Sequence, residues 1–403
     1  MLANPARPRL IVLSGEGGMG RSAFLARLAF AAQIEGYVTS ELRCFPEHPG
    51  ELAVLRTLVA GLARRSHAPP AMARKATRLV KEAAAASDPP ARRHAIRELA
   101  STLPRLAGDR PWVLLIDDAH FAPSILLELL AEIVRDISAA ERDSAAARPM
   151  QVHLVLSIRS EPSFRTVLSS FDSLLSSARA TTLPIELEPL SGEEVDRWLE
   201  RSGYDPSLAP SSQLPSALSG NPFAVREALR LAGDGVSALS GRDANADLHR
   251  RYLDSLDAEA RELLEILCVI GRPSTPALLA TIAGKVEAAI ESRAALLLGE
   301  GTLVAHGGEL AFRHGSLPLR IRALLPEAKA RALHGRIARA LEARGASLDE
   351  VARHALRSDR PHASVDLALS AARALAHKHR DREALRLYEP ILELLPSDDS
   401  ARR

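Results

Sequence analysis

Leu10-Ile-Val-Leu-Ser14-Gly15-Glu16-Gly17-Gly18-Met19-Gly20-Arg21-Ser22-Ala23 decides how the rest of this chain is read. The run from Arg9 to Ser14 is apolar, as a parallel strand buried on both faces would be. Glycines then crowd a turn, and helix-forming residues resume at Arg21 and run to about Glu35. Gly15, Gly20 and Ser22 keep the spacing G-x-x-x-x-G-K-[ST] of a phosphate-cradling loop. Such a loop turns backbone N–H groups and a helix N-terminus toward a polyphosphate. Glycine lets the main chain approach the anion with no Cβ in between. Ser22 stands where a hydroxyl would ligate Mg2+. The lysine position of the pattern holds Arg21, which keeps the charge on a larger, planar, forked group. Phosphate binding survives that exchange more readily than hydrolytic geometry does. On this stretch alone, a glycine-rich turn that binds nothing is equally open.

A second signal removes much of that ambiguity. Trp112-Val-Leu-Leu-Ile116-Asp117-Asp118-Ala-His120 is an apolar strand ending in adjacent carboxylates, roughly a hundred residues downstream of the loop. Paired with a phosphate loop, Asp117 is placed to hold the Mg2+ shell together with Ser22, and Asp118 to orient or deprotonate an attacking water. Alone, the same stretch is an acidic turn after a strand. His120 receives no role. Val152-His-Leu-Val-Leu-Ser157-Ile-Arg159-Ser-Glu161 is another buried strand with a polar end. Strand C-termini of a parallel α/β sheet converge on the ligand crevice, so Arg159 is placed to sense a γ-phosphate; a surface ion pair with Glu161 is the rival reading. Tyr37 to Cys44 and Thr182 to Leu190 read as further strands.

Composition sets the frame. The chain has 403 residues, 46% hydrophobic, 25% charged and only 3% aromatic. That is an ordinary globular composition biased toward helix, with room for two to four domains. A formal net charge of +2 gives no ground for a nucleic-acid or membrane partner. Two distant cysteines, Cys44 and Cys268, make neither a disulfide framework nor a zinc site, and suit a reducing cytoplasm. No signal peptide and no membrane-length apolar run is seen.

Between these landmarks the chain is mostly helical. Leu52, Leu55, Leu58, Val59 and Leu62 recur at helical spacing. Residues 71–90 read as a solvated helix or a loose excursion, and Ser138 to Pro149 as a surface loop. Ser191-Gly-Glu-Glu194 has the form of a capping box. In Leu218-Ser-Gly220-Asn221-Pro222-Phe223, Gly-Asn-Pro ends one helix and Pro222 suits the first turn of the next, giving a small helical lid or a plain helix–helix turn. Gly233 to Ala246 reads as a linker. Leu253 to Ile270, Pro276 to Ile282 and Lys285 to Leu298 are expected helices. Thr302 to Arg313 is an expected hairpin with a Gly-Gly turn. Three helices and a hairpin make a winged-helix module. Its recognition helix carries Glu287, Glu291 and Glu300 against Lys285 and Arg293, which argues against DNA reading. Arg320 to Arg344 is expected as one long helix. Leu348 to Leu395 reads as antiparallel helix pairs of tetratricopeptide-like type, about one and a half repeats where three make a stable stack. The array reads as truncated: the chain is expected to stop inside it, or to be a fragment.

Together these residues resemble the signal-transduction ATPases with numerous domains, in the branch found in large bacterial transcriptional and signalling regulators. Gly15 to Ser22, Leu114 to His120, Ser157 to Glu161 and Ser219 to Phe223 carry the resemblance, with Phe312-Arg-His314 and Leu333-His334-Gly-Arg-Ile337-Ala338 matching the tail of that family's winged helix. The implied fold is an α/β P-loop domain, a parallel sheet with helices on both faces, over residues 1–190. A helical lid over 191–240, a winged helix over 241–345 and helical repeats over 346–403 follow. The implied function is an ATP/ADP-binding regulatory switch in the cytoplasm, with protein partners on the repeats and nucleotide-dependent self-association. Gly15, Gly17, Gly18, Gly20, Arg21 and Ser22 would bind phosphates, Glu16, Met19 and Ala23 would complete the loop, and Pro222 would touch adenine. Ser22 and Asp117 would serve Mg2+, Asp118 would be the base and Arg159 the sensor. Two departures stand out: Arg21 replaces lysine, and the Gly-Arg-Glu segment the family places before the loop is absent. Two rivals remain, a degenerate scaffold with an empty pocket and a DNA-binding regulator.

Overall fold

The front of the chain folds as strand, helix, strand in the order the apolar runs dictate. β1 (Leu10–Gly15) leads to α1 (Arg21–Ile34), β2 (Val38–Arg43), α2 (Glu51–Ser66), α3 (Pro70–Ala85), α4 (Pro89–Leu106), β3 (Trp112–Asp117), α5 (Ser124–Arg142), β4 (Val152–Arg159) and β5 (Thr182–Glu186). The computed structural model describes residues 10–46, 51–66, 69–86, 88–142, 152–160, 182–201, 220–231, 250, 252–313, 316–378 and 380–395.

The strands form one sheet in the order β2-β3-β4-β1-β5. β1 pairs in parallel with β5, β2 with β3, and β3 with β4. From β1 the chain crosses to β2 at the far edge, leaving β3 and β4 between them. That reversal beside β1 is a topological switch point, where such sheets collect ligands at their carboxyl ends. Those ends are Gly15, Arg43, Asp117, Arg159 and Glu186. The β2–β3 pairing runs to the edge, since Cys44 N–H donates to Asp117 O at 2.9 Å.

One apolar core joins the sheet to α2–α5. Leu55, Leu58, Val59 and Leu62 of α2 are all within 3% of full burial, as their spacing predicts. Each such side chain contributes about 1.5–3 kcal/mol relative to exposure. Here the stretch around residues 71–90 departs from expectation. It is the helix of the two alternatives, but not solvated all round: α3 buries Ala76, Leu79, Val80 and Ala83 in that same core, a narrow stripe in which only two of four side chains are large. Asp88 caps α4, accepting from Ala91 N–H at 2.6 Å. α5 continues to Arg142, so Ser138–Arg142 is helix and not loop. β5 ends at Glu186, four residues short of the Leu190 expected.

By internal contacts the chain divides into two units: residues 1–14, 21–186 and 341–403, and residues 15–20 with 187–340. The second unit opens with α6 (Gly192–Arg201) and α7 (Pro222–Leu231). The capping box is formed: Ser191 N–H donates to Glu194 Oε2 at 2.8 Å and Glu194 N–H to Ser191 Oγ at 3.3 Å. Then come α8 (Ala258–Ile270), α9 (Pro276–Ala283), α10 (Glu287–Gly299) and an antiparallel hairpin of β6 (Leu303–His306) and β7 (Glu309–Phe312). Gly307 and Gly308 turn the hairpin with φ of 58° and 83°, the paired positive values that a tight two-residue turn needs. The helix expected from Leu253 is broken at Asp257, which caps α8 by accepting from Ala260 N–H. The single helix expected over Arg320–Arg344 is two, α11 (Ser316–Leu324) and α12 (Glu327–Ala343), because Pro326 cannot continue a helix. The expected linker, Gly233 to Ala246, lies outside the described residues.

The rest of the first unit is helical: α13 (Leu348–Ala355), α14 (Val365–His377) and α15 (Asp381–Leu394). Their own core holds the small residues Ala352, Ala368, Ala372 and Ala384 together with the larger Leu387 and Ile391. Among the described residues no helix is long and apolar enough to cross a membrane.

Candidate functional site

At the carboxyl edge of the sheet, α1, β2 and β4 each deliver a polar side chain to the acid pair at the end of β3. Ser22, second residue of α1, donates its Oγ–H to Asp117 Oδ2 at 2.6 Å. Ser157 of β4, fully buried, donates to Asp117 Oδ1, also at 2.6 Å. The Ser157 oxygen in turn accepts from Asp118 N–H at 2.9 Å. Asp117 is thus held from two sides, with the exposed Ser22 end turned outward. A hydroxyl and a carboxylate are the hard oxygen donors Mg2+ takes when phosphates and water complete its shell. Among the described residues no group of three or more His, Cys, Asp or Glu gathers to hold a metal.

Asp118 sits in the left-handed region, φ 51° and ψ 44°. No other non-glycine among the described residues has positive φ. Aspartate tolerates this conformation better than most side chains, and such backbone gathers at functional sites. Its carboxylate accepts from Arg21 Nη2 at 3.4 Å and lies 3.8 Å from Arg43 Nε. The Arg21 and Asp118 side chains are only 7% and 9% exposed. The guanidinium in the lysine position therefore lies on the acid expected to act as base. Arg43, at the end of β2, was not singled out by the sequence; an arginine closing a strand of a parallel sheet was the available signal.

Arg159 ends β4 and is 2% exposed, so a surface ion pair does not describe it; Glu161 lies outside the described residues. His120 is buried against Phe121, ring centroids 4.1 Å apart. Burial first, then the Arg159 and Arg21 charges, lowers its pKa from 6.5 to about 3. A lowered imidazole pKa means that the folded state binds fewer protons than the unfolded one. The His120 contribution is therefore absent as a cost above pH ~6.5 and grows as pH falls toward 3. Thermal melts should hold level from pH 8 to 7 and drop steadily below 6.5, and His120→Phe should flatten that drop; equal slopes in both proteins would refute the assignment.

The loop itself clusters with α7. Asn221, N-cap of α7, donates from Nδ2 to Gly17 O at 3.0 Å, and its Oδ1 accepts from Phe223 N–H at 3.1 Å and Ala224 N–H at 3.2 Å. Phe223 N–H also reaches Gly18 O at 3.3 Å. Gly18 has φ +90°, and a Cβ there would come within 2.6 Å of Asn221 Oδ1. Gly20 has φ +87° with open space about it. Met19 is buried, its N–H 3.4 Å from Glu16 O, while Glu16 and Ala23 are exposed. Pro222 takes the first position of α7. Leu190 N–H donates to Gly220 O at 2.8 Å, tying the strap before α6 to the start of α7.

A glycine loop between a strand and a helix, with a serine bonded to an aspartate on the strand beyond its neighbour, defines a P-loop nucleotide-binding fold. Residues 2–144 match the family model described as an AAA ATPase domain. A solved structure from Pyrococcus horikoshii, described as a signal transduction ATPase with numerous domains and a tetratricopeptide repeat sensor, is similar over 96% of this chain at 13% identity and a TM-score of 0.57. The likeness is one of fold, and the chain spans 52% of that protein's length. The ORC2 protein of Aeropyrum pernix, in ADPNP–ADP complexes, aligns over 85% of this chain and 90% of its own, 15% identical, with a TM-score of 0.38. AMPPCP-bound DnaA of Aquifex aeolicus aligns over 98% and 91% at 12% identity and a TM-score of 0.32. A search of curated proteins gives no match.

Proposed function

We propose that this chain is an ATP/ADP-binding regulatory switch in which the loop of residues 15–20 cradles phosphates and Ser22 and Asp117 hold Mg2+. The observation that carries the reading is the 2.6 Å bond between Ser22 and Asp117, residues 95 apart in sequence, directly after the glycine loop. Mg2+ bound there would offset phosphate charge. In this reading Asp118 remains the acid nearest to catalysis, Arg159 the sensor and Pro222 the adenine contact, and the chain works in the cytoplasm. Residues 191–240 act as lid, 241–345 as a winged helix and 346–403 as helical repeats that bind a protein partner, with self-association set by the nucleotide.

The Arg21–Asp118 pair supports slow turnover. A carboxylate already bonded to a guanidinium is a poorer proton acceptor for water, and Arg21 engaged by Asp118 is a poorer phosphate ligand. Calorimetry with ADP and ATP plus Mg2+ tests the reading: binding should appear with both, and no binding at millimolar nucleotide would leave only the scaffold alternative. Arg21→Lys should raise ATP hydrolysis tenfold or more in a phosphate-release assay, since a lysine is a compact, flexible charge free to move between acid and phosphate. An unchanged rate would place the deficit elsewhere.

DNA binding through the three-helix-and-hairpin module has less support. Lys285 Nζ lies 2.9 Å from Glu259 and Arg293 Nε 2.9 Å from the same carboxylate, both on α8's acidic side. Glu287 and Glu291 are the exposed charges of α10. A phosphate-facing helix needs free cations there.

A further inference from the structure

The bonds between Asn221 and the glycine loop assign it a task beyond capping. We propose that Asn221 is a positioning residue for the phosphate cradle, a role that rests on the nucleotide-binding reading above. Its Nδ2 and the Phe223 N–H hold the carbonyl oxygens of Gly17 and Gly18 toward the start of α7, at 3.0 and 3.3 Å. The peptide unit is planar and trans, so the N–H of a unit points opposite to its C=O. Fixing Gly17 C=O toward α7 therefore turns Gly18 N–H the other way, off the opposite face of the loop, where a polyphosphate would accept it. Met19 N–H, in the next unit, is already drawn to Glu16 O at 3.4 Å, which leaves Gly18 N–H as the amide this clamp aims.

Gly18 also has a conformation that a clamp would help to hold. Its φ of +90° is open to several alternatives, because glycine visits both halves of the map. Without the clamp the loop would sample peptide orientations that present a carbonyl to the anion. The fit is close enough that a Cβ on Gly18 would meet Asn221 Oδ1 at 2.6 Å, so loop and cap are shaped to each other. One side chain performs two jobs: its oxygen caps α7 through Phe223 and Ala224, and its nitrogen sets the loop.

The two jobs separate by substitution. Asn221→Ser keeps a capping oxygen, adds no charge and is too short to reach Gly17 O. Calorimetry on the full chain with Mg-ADP should show affinity about fivefold weaker, the loss of one hydrogen bond's worth of preorganisation. Inorganic pyrophosphate, which probes the cradle alone, should lose the same factor as a competitor. The melting temperature should stay near that of the unchanged protein. Affinity for Mg-ADP equal to the unchanged protein's would overturn the proposal, as would weakening of Mg-ADP with pyrophosphate unaffected, since that places the defect outside the cradle. Asn221→Ala, which loses the cap as well, should show the same loss of affinity plus a lower melting temperature. If the unchanged protein binds no Mg-ADP, it is the nucleotide reading that fails; if it binds and Asn221→Ser binds equally, only the role of Asn221 fails.

Discussion

Gly20→Val should leave no ADP binding detectable by calorimetry at millimolar nucleotide, while the unchanged protein binds. Gly20 has φ +87°, a region that a β-branched side chain essentially does not enter. No atom lies within 4 Å of a Cβ built there, so the penalty is conformational and not a clash. The chain escapes it by moving φ to a negative value, which re-aims the peptide just ahead of α1 and moves Arg21 and Ser22 with it. A loop that must deliver amides to an anion does not survive that rotation, but the sheet and its core have no stake in it. Circular dichroism should therefore be unchanged. Retained ADP affinity would show that residues 15–20 do not cradle phosphate.

The second large effect concerns Asp118→Asn. Asparagine enters the left-handed region as readily as aspartate, so the backbone at φ 51° is kept and only the charge is lost. ATP turnover, measured as phosphate release, should fall to background. ADP should bind as well as before or better, because Arg21 loses its acid partner and becomes available to phosphate. The protein should also lose stability, since breaking a buried pair from one side typically costs about 3–5 kcal/mol and two guanidiniums face this acid. Turnover at the unchanged rate would remove Asp118 from any catalytic role. Loss of ADP binding without loss of fold would mean that the acid shapes the cradle itself.

What the sequence showed of all this followed a physical rule. Strand β3, the capping box at Ser191 and the Gly-Gly hairpin were legible because their signals lie within a few residues. The Ser22–Asp117 pair was legible because loop and acid strand occur together in one recognisable order. Arg43 closes a strand and Ser157 lies in the 157–161 segment, but neither was given a role of its own, because what they touch comes from other strands, brought near by sheet order alone. Asn221 was visible only as part of a turn, because its second partner lies 204 residues away. The stripe of α3 was faint since apolar periodicity weighs large side chains most and two of its four buried residues are alanine. The breaks at Asp257 and Pro326 were missed although a capping residue and a proline stand there, because a continuous helical period across them masked both.

The acidic face of α8 has a consequence of its own. Glu259, Glu262 and Glu265 recur every third residue and meet Lys285, Arg293, Lys329 and Arg336 from α10, α12 and the turn before α10. The sheet coheres through leucine, valine and alanine, and the other side of α8 likewise buries Leu263, Leu264, Ile266 and Leu267. Dissolved ions weaken networks of the first kind, and urea undermines cores of the second. Salt should therefore loosen the outer, charged seam of α8 while leaving its buried leucines in place, and urea should act on those leucines and on the core of the sheet alike.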